Sequence, residues 1–176
     1  AIVTTSTFTM TADGATSIGG TVTSTGNMLL TVTTGGATVS SVMKTTTGTL
    51  TIAVTGTLTT TGAIGDSNMS GTVDIDASGN TSIEAAIKTS GGIQITTTNS
   101  GTLTTTASGT IGAASNPTTA GAVTIDIDAG VTIGAAIVTT GTLTMTGDGV
   151  TTIGGTVTST GNMLMTITTG GVTVNS

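Results

Sequence analysis

The chain has 176 residues, of which 52 are threonine and 28 glycine, while only 6% are charged and cysteine, histidine, tryptophan and tyrosine are absent. A formal net charge of −6 with only two basic residues argues against a nucleic-acid partner, because such partners are bound by basic surfaces. With a single aromatic residue the chain lacks the large rings of a compact core, so small and β-branched side chains must form a thin, elongated one.

The segment at the start of the chain returns at its end. Residues 1–41 align without a gap to residues 136–176 with nine differences. Several of the nine exchange one apolar residue for another, among them Ala15 for Val150, Leu30 for Met165, Val32 for Ile167 and Ala37 for Val172. Such exchanges are typical of buried positions, where volume can vary but polarity cannot. The sequence therefore predicts one full repeat unit over 1–135 and the start of a second over 136–176.

A shorter motif recurs inside the unit and gives its period. The pattern Ile-x-small-x-[Val/Ile]-x-x-x-Gly begins at residues 18, 83, 133 and 153, and degenerate forms begin at residues 64 and 111. With Val39 as a weak member, six copies fall within the unit 1–135, and their mean period is 135/6 = 22.5. A period of this length indicates a solenoid, because propeller blades need about 40 residues.

The apolar residues alternate with polar ones, as in half-buried strands. In residues 72–79, Val73, Ile75 and Ala77 alternate with Asp74 and Asp76, and residues 121–130 repeat the pattern. Short strands, glycine-rich corners and the period together predict an all-β fold. We expect a parallel β-solenoid (β-helix) with about 22.5 residues per coil, two or three strands per coil and six coils per unit. Right-handed coiling is expected from the twist of parallel strands.

Aligning the coils on their glycines predicts one outward ladder of polar pairs. Its members are Thr9 and Thr11, Thr31 and Thr33, Thr59 and Thr61, Asp74 and Asp76, Thr104 and Thr106, Asp126 and Asp128, and Thr144 and Thr146. Threonine ladders stabilise parallel strands. They also resemble the flat faces of insect-type antifreeze proteins, which implies an ice-binding alternative. The aspartate pairs interrupt the ladder with charge, which favours solubility.

The chemistry expected of an enzyme is missing from the sequence. Without histidine or cysteine, neither a nucleophile–base pair nor a histidine- or thiolate-based metal site can be assembled, so we expect no catalysis, no metal and no cofactor. The aspartate pairs should lie about 10 Å apart along the axis, too far to share one calcium ion. No apolar run reaches the roughly 18 residues that a membrane-spanning segment needs, so none is predicted.

Residues 108–125, SGTIGAASNPTTAGAVTI, resemble the IG-[ST]-A-x-NP phrases of filamentous-haemagglutinin-like giant adhesins. The resemblance implies a long β-helical rod on a bacterial cell surface, in which shaft repeats act as spacers. We therefore expect a structural shaft of an extracellular fibre or surface protein, with its coils stacking on neighbouring repeats or subunits. The alternatives are ice binding through the threonine ladder and glycan or receptor binding through a loop at Asn116–Pro117.

Overall fold

The computed structural model describes residues 1–115 and 118–175, which form twenty-four short strands and no helix. The strands belong to three parallel sheets of eight strands each, and every third strand along the chain lies in the same sheet. Three consecutive strands therefore make one coil, and eight coils stack along one axis. This arrangement confirms the predicted all-β solenoid.

The coils follow one another in chain order, each contributing one strand to the first, second and third sheet. The first four coils are β1 (Ile2–Thr4), β2 (Phe8–Ala12) and β3 (Thr16–Ile18); β4 (Val22–Ser24), β5 (Met28–Val32) and β6 (Ala37–Val39); β7 (Met43–Thr45), β8 (Leu50–Val54) and β9 (Leu58–Thr60); and β10 (Ile64–Gly65), β11 (Val73–Ala77) and β12 (Thr81–Ile83). The last four are β13 (Ile87–Lys88), β14 (Ile93–Thr97) and β15 (Leu103–Thr105); β16 (Ile111–Gly112), β17 (Val123–Ile127) and β18 (Val131–Ile133); β19 (Ile137–Thr139), β20 (Leu143–Gly147) and β21 (Thr151–Ile153); and β22 (Val157–Ser159), β23 (Met163–Ile167) and β24 (Val172–Val174).

Equivalent residues of successive coils stack in register. Ile75, for example, pairs with Ile52 of the coil before and with Ile95 of the coil after, and all three are fully buried. The core is a column of such inward-facing aliphatic side chains from all three sheets. Because each inward residue rests on its equivalents, a coil in the middle of the stack is covered on both sides.

The typical coil has about 21 residues, a length at the short end of the range for solenoid repeats. The longest coils lie in the middle of the stack, because the first strands of successive coils begin at Ile2, Val22, Met43, Ile64, Ile87, Ile111, Ile137 and Val157. The added length lies in corners, above all between β10 and β11 and between β16 and β17. Ile2 and Ile137 are equivalent in the two repeat copies and open the first and seventh coils, so the predicted six coils per repeat unit are confirmed.

The two degenerate members of the short motif do not occupy the same strand of their coils as the other members. Ile64 and Ile111 begin first-sheet strands, whereas Ile18 and Val39 end third-sheet strands. In the third and fifth coils the equivalents of Ile18 are threonines, Thr60 and Thr105. Both threonines are buried. Because a polar residue stands at this inward position, the sequence pattern did not show where the third-sheet strands of these two coils lie.

A column of glycines forms the corner between the first and second strands. Its members are Gly26, Gly48, Gly71, Gly91, Gly121, Gly141 and Gly161. A Cβ atom on Gly91 would lie 2.4 Å from the carbonyl oxygen of Gly71 in the coil before, which is far inside van der Waals contact. None of these glycines has a positive φ. Glycine is therefore needed in this column for close approach of two backbones and not for backbone conformation.

Beside this glycine column runs a second column of buried hydroxyls. Its fully covered members are Ser24, Thr45, Thr89, Thr119 and Thr139. Each hydroxyl donates to a backbone carbonyl at the corner; the Oγ1 of Thr139 lies 3.0 Å from Thr119 O and 2.9 Å from Gly121 O, which share its one proton. The column supplies a partner for corner carbonyls outside the strand ladders, such as Gly121 O. Its sequence signal is a serine or threonine two or three residues before a corner glycine.

Candidate functional surfaces

The second sheet carries two outward columns of side chains. The first column is Thr9, Leu29, Thr51, Asp74, Gln94, Thr124, Thr144 and Leu164, and the second is Thr11, Thr31, Ala53, Asp76, Thr96, Asp126, Thr146 and Thr166. Eight of the fourteen residues predicted as one ladder lie here: Thr9, Thr11, Thr31, Asp74, Asp76, Asp126, Thr144 and Thr146. Leucine, glutamine and aspartate interrupt the first column, and alanine and aspartate interrupt the second, so this face is not a uniform threonine surface.

The other six predicted residues lie elsewhere, so the single ladder is wrong. Thr33 and Asp128 follow second-sheet strands in corners, Thr59 and Thr104 lie on the third sheet, and Thr61 and Thr106 follow third-sheet strands. The error has a simple cause. Strands β8 and β9 both begin with Leu-Thr and both alternate, so alignment on glycines cannot separate the two faces.

The third sheet carries a continuous outward column of hydroxyls that the sequence reasoning missed. Its eight members are Ser17, Thr38, Thr59, Ser82, Thr104, Thr132, Thr152 and Thr173. Neighbouring members are about 4.8 Å apart, the spacing of hydrogen-bonded strands. The signal was present in the sequence, because the middle residue of every strand of this sheet is serine or threonine.

The aspartates of the second sheet occupy different environments. Asp74 is partly buried, and its Oδ1 has no hydrogen-bond partner. Burial raises the pKa of Asp74 above its usual value, and the nearby charge of Asp76 raises it further. Asp76 and Asp126 belong to the same column with Thr96 between them, so the two pairs are two coils apart, as predicted. Among the described residues, no three metal-ligating side chains come together.

Asp128 has a structural contact in a neighbouring coil. Its Oδ2 accepts a hydrogen bond from the backbone N–H of Ser100 at 2.6 Å. Ser100 and Asn99 have φ values of 59° and 53°, which non-glycine residues rarely adopt. The carboxylate therefore helps to hold the tight turn that precedes β15.

Both basic side chains lie on the outward face of the first sheet. Lys44 Nζ forms an ion pair with Asp66 Oδ2, and Lys88 pairs in register with Gly65. Burial alone would raise the pKa of Asp66, but the hydrogen bond from Lys44, its charge and the backbone N–H of Asn68 outweigh burial and lower it. The ion pair fixes the start of the corner between β10 and β11, and its partial exposure limits its contribution to stability.

The two ends of the stack expose apolar side chains. At the last coil these are Met163, Leu164, Val172 and Val174, and at the first coil Ile2 and Val3. Phe8 and Met10 of the first coil are only partly buried. The strands of both end coils also present one unpaired backbone edge each. An unpaired strand edge is a template for pairing with a further strand, and large exposed apolar patches mark interaction sites.

Comparison with known proteins finds no matching family model, no similar curated protein and no similar solved structure. The resemblance to filamentous-haemagglutinin-like adhesins therefore has no support from relatives, whereas its coarser content, a β-helical repeat protein, agrees with the fold. The predicted ligand-binding loop at Asn116–Pro117 lies outside the described residues. Within residues 1–115 and 118–175 there is no long apolar helix that could cross a membrane.

Proposed function

We propose that this chain is a structural shaft segment of an extracellular fibre or giant surface protein, in which repeated coils act as a spacer. The supporting observation is the contrast between two nearly identical coils. The second coil is covered by the third and is buried, whereas its copy, the eighth coil, is exposed. Met28 is 1% exposed and its equivalent Met163 is 49% exposed; Val39 is 0% exposed and its equivalent Val174 is 65% exposed.

The chain itself shows what would cover the eighth coil. Residues 21–41 pack against residues 42–60, and their copies 156–176 keep an apolar residue at each of the same apolar positions and the same corner glycines. A coil like residues 42–60 would therefore pair with all three edge strands of the eighth coil and bury its apolar side chains. The absence of aromatic platforms and of clustered ionisable groups among the described residues favours a spacer over a ligand-binding or catalytic role.

The test is to lengthen the chain in phase. Fusing residues 42–135 after Ser176 is expected to add four coils, lengthen the particle by about 19 Å at about 4.8 Å per coil, and protect the backbone amides of residues 163–174 from hydrogen exchange. Small-angle X-ray scattering measures the length, and mass spectrometry of exchanged peptides measures the protection. The control carries the same added residues in scrambled order, with identical length and composition.

Equal amide protection in the scrambled fusion, or an in-phase fusion whose added residues are digested rapidly by protease, would contradict the shaft proposal. A localisation at the cell surface is part of the same proposal. The surface location is favoured by the IGAASNP phrase at 111–117. It is also favoured by the solenoid fold, which lengthens into a rod when further coils stack on its ends.

A second candidate function is ice binding by the hydroxyl column of the third sheet. The observation in its favour is that this column is unbroken, whereas the columns of the second sheet are not. If the column binds ice, the protein shows thermal hysteresis at millimolar concentration, Thr104→Lys abolishes it, and Thr124→Lys on the second sheet leaves it intact. Nanolitre osmometry measures all three, and an absence of hysteresis in the unaltered chain removes this candidate.

A further inference from the structure

The two lysines of the chain stand in one outward column of the first sheet. Gly65 pairs in register with Lys88 of the next coil. On its other side Gly65 lies next to Lys44, because the residues before these two, Ile64 and Met43, are paired. The lysine Cα atoms are therefore two coils, or about 10 Å, apart along the axis. A depression of about 520 Å³ is lined by both lysines and by the glycine between them.

The second sheet carries a column of acids with the same spacing. Asp76 and Asp126 are exposed and lie in one outward column with Thr96 between them, so they too are two coils apart. The order along the axis is lysine, glycine, lysine on the first sheet and aspartate, threonine, aspartate on the second. Because every coil advances by the same strand spacing, the two columns match in distance and are opposite in charge.

Apolar residues on the two faces are also matched in spacing. On the first sheet, Val138 lies two coils after Lys88 in the same column. On the second sheet, Leu29 lies two coils before Asp74, which stands next to Asp76 on the same strand. The valine follows the lysine, whereas the leucine precedes the aspartates. The two faces therefore match, charge to charge and apolar residue to apolar residue, when two copies lie side by side with their axes antiparallel.

Antiparallel axes also bring the full width of the two faces together. In two solenoids wound in the same sense, the strands of facing sheets run in the same direction only when the axes are antiparallel. Each outward column of one face then lies opposite an equivalent column of the other. In this alignment Lys44 faces Asp126 of the second copy, and Lys88 faces Asp76 of the second copy.

The charges that remain unpaired within one chain favour this contact. Within residues 1–115 and 118–175, Lys44 has an ion-pair partner, Asp66, and Lys88 has none. The Oδ1 atom of Asp74, beside the position that Lys88 would face, has no hydrogen-bond partner. The coil opposite Asp66 carries the uncharged Thr96 and no acid, so Asp66 does not oppose the contact.

We propose that the first sheet of one copy of this chain binds the second sheet of another copy, with the two axes antiparallel, so that shafts associate side by side. The occupant of each face is thus a second copy of the same chain. The contact uses the sides of the stack and leaves both ends open to further coils. It therefore goes beyond the shaft proposal and does not depend on it.

The contact is small for one chain and grows with length. Second-sheet strands of five residues are about 17 Å long, and six stacked coils extend about 29 Å, which gives about 500 Å² on each copy. The total of about 1,000 Å² is at the low end for a specific interface, so we expect weak association of this chain. A further copy of residues 42–135, as in the fusion described above, would add the same charges and the same area.

The test exchanges charges within one chain. Lys88→Glu is expected to raise the dissociation constant for self-association about tenfold, because an attractive pair becomes a repulsive one. Lys88→Glu combined with Asp76→Lys restores opposite charges across the contact and is expected to return the dissociation constant to within about twofold of the original. Lys88→Glu combined with Asp126→Lys has the same composition and net charge. It places like charges together at both positions, so it is expected to associate no better than Lys88→Glu alone.

Sedimentation velocity up to millimolar concentration measures the association of all four chains. The substituted side chains point outward, so we expect the midpoints of thermal unfolding, followed by circular dichroism, to stay unchanged. Equal dissociation constants for the two double variants, or an unaltered chain that stays monomeric at millimolar concentration, would overturn the lateral contact. Neither result would affect the shaft proposal, which fails only if the in-phase fusion described above does not fold as added coils.

Discussion

Replacing Gly91 by alanine is expected to lower the free energy of unfolding by about 3 kcal/mol, the upper part of the usual cost of overfilling a packed site. The added Cβ atom would lie 2.4 Å from Gly71 O and 2.7 Å from Gly71 C. Relief requires the two coils to separate at this corner, and separation stretches the parallel hydrogen bonds on both sides of it. The loss is therefore shared by two coils and cannot be absorbed by one rotating side chain.

Gly19 is the matched control for this substitution. It is also a corner glycine without a positive φ, but a Cβ atom built on it has no other atom within 4 Å. Gly19→Ala is expected to be neutral or stabilising by about 0.5 kcal/mol, because alanine reduces the freedom of the unfolded chain. Urea unfolding followed by circular dichroism compares the two variants. A similar loss in both would mean that glycine serves flexibility here and not close approach.

The fold was predictable because its two signals are local and repeated. Alternation such as Val73-Asp74-Ile75 identifies strands. The long repeat sets the unit over 1–135, and the copies of the short motif within it give the number of coils. Every coil repeats the same chemistry, so errors in one coil do not change the architecture. The position of each strand within its coil was harder to predict. Thr60 and Thr105 point inward where other coils have isoleucine or valine, whereas the sequence pattern predicts an aliphatic residue at every inward position.

The surfaces were harder to predict than the fold, because they depend on which strand of a coil a residue belongs to. Thr59 and Thr144 share the same local pattern, yet they lie on different sheets. The requirement for glycine at position 91 was hidden for a further reason. It depends on the direction of a Cβ atom towards Gly71 of the coil before, and that direction follows from the corner geometry, which only the three-dimensional structure provides.

Two buried threonines of the seventh coil are expected to respond in opposite directions when replaced by valine. Thr139 and Thr151 are 1% and 0% exposed. The single proton of the Thr139 hydroxyl is shared between Thr119 O and Gly121 O, and its oxygen accepts from Gly141 N–H, whereas the hydroxyl of Thr151 has no partner. The same change of one hydroxyl to one methyl group therefore removes a shared donor bond and an accepted bond at one site, and a costly unpaired group at the other.

Thr139→Val is expected to destabilise the fold by about 2 kcal/mol, because it leaves corner backbone groups without partners in a partly buried place. Thr151→Val is expected to stabilise the fold by about 1 kcal/mol, since burial of an unpaired hydroxyl is unfavourable. Chemical unfolding of the two variants and of the double variant measures both effects. If both substitutions stabilise the chain, the hydrogen bonds of the buried hydroxyl column do not contribute to the free energy of unfolding. If both destabilise it, the Thr151 hydroxyl has a partner, and water is the candidate.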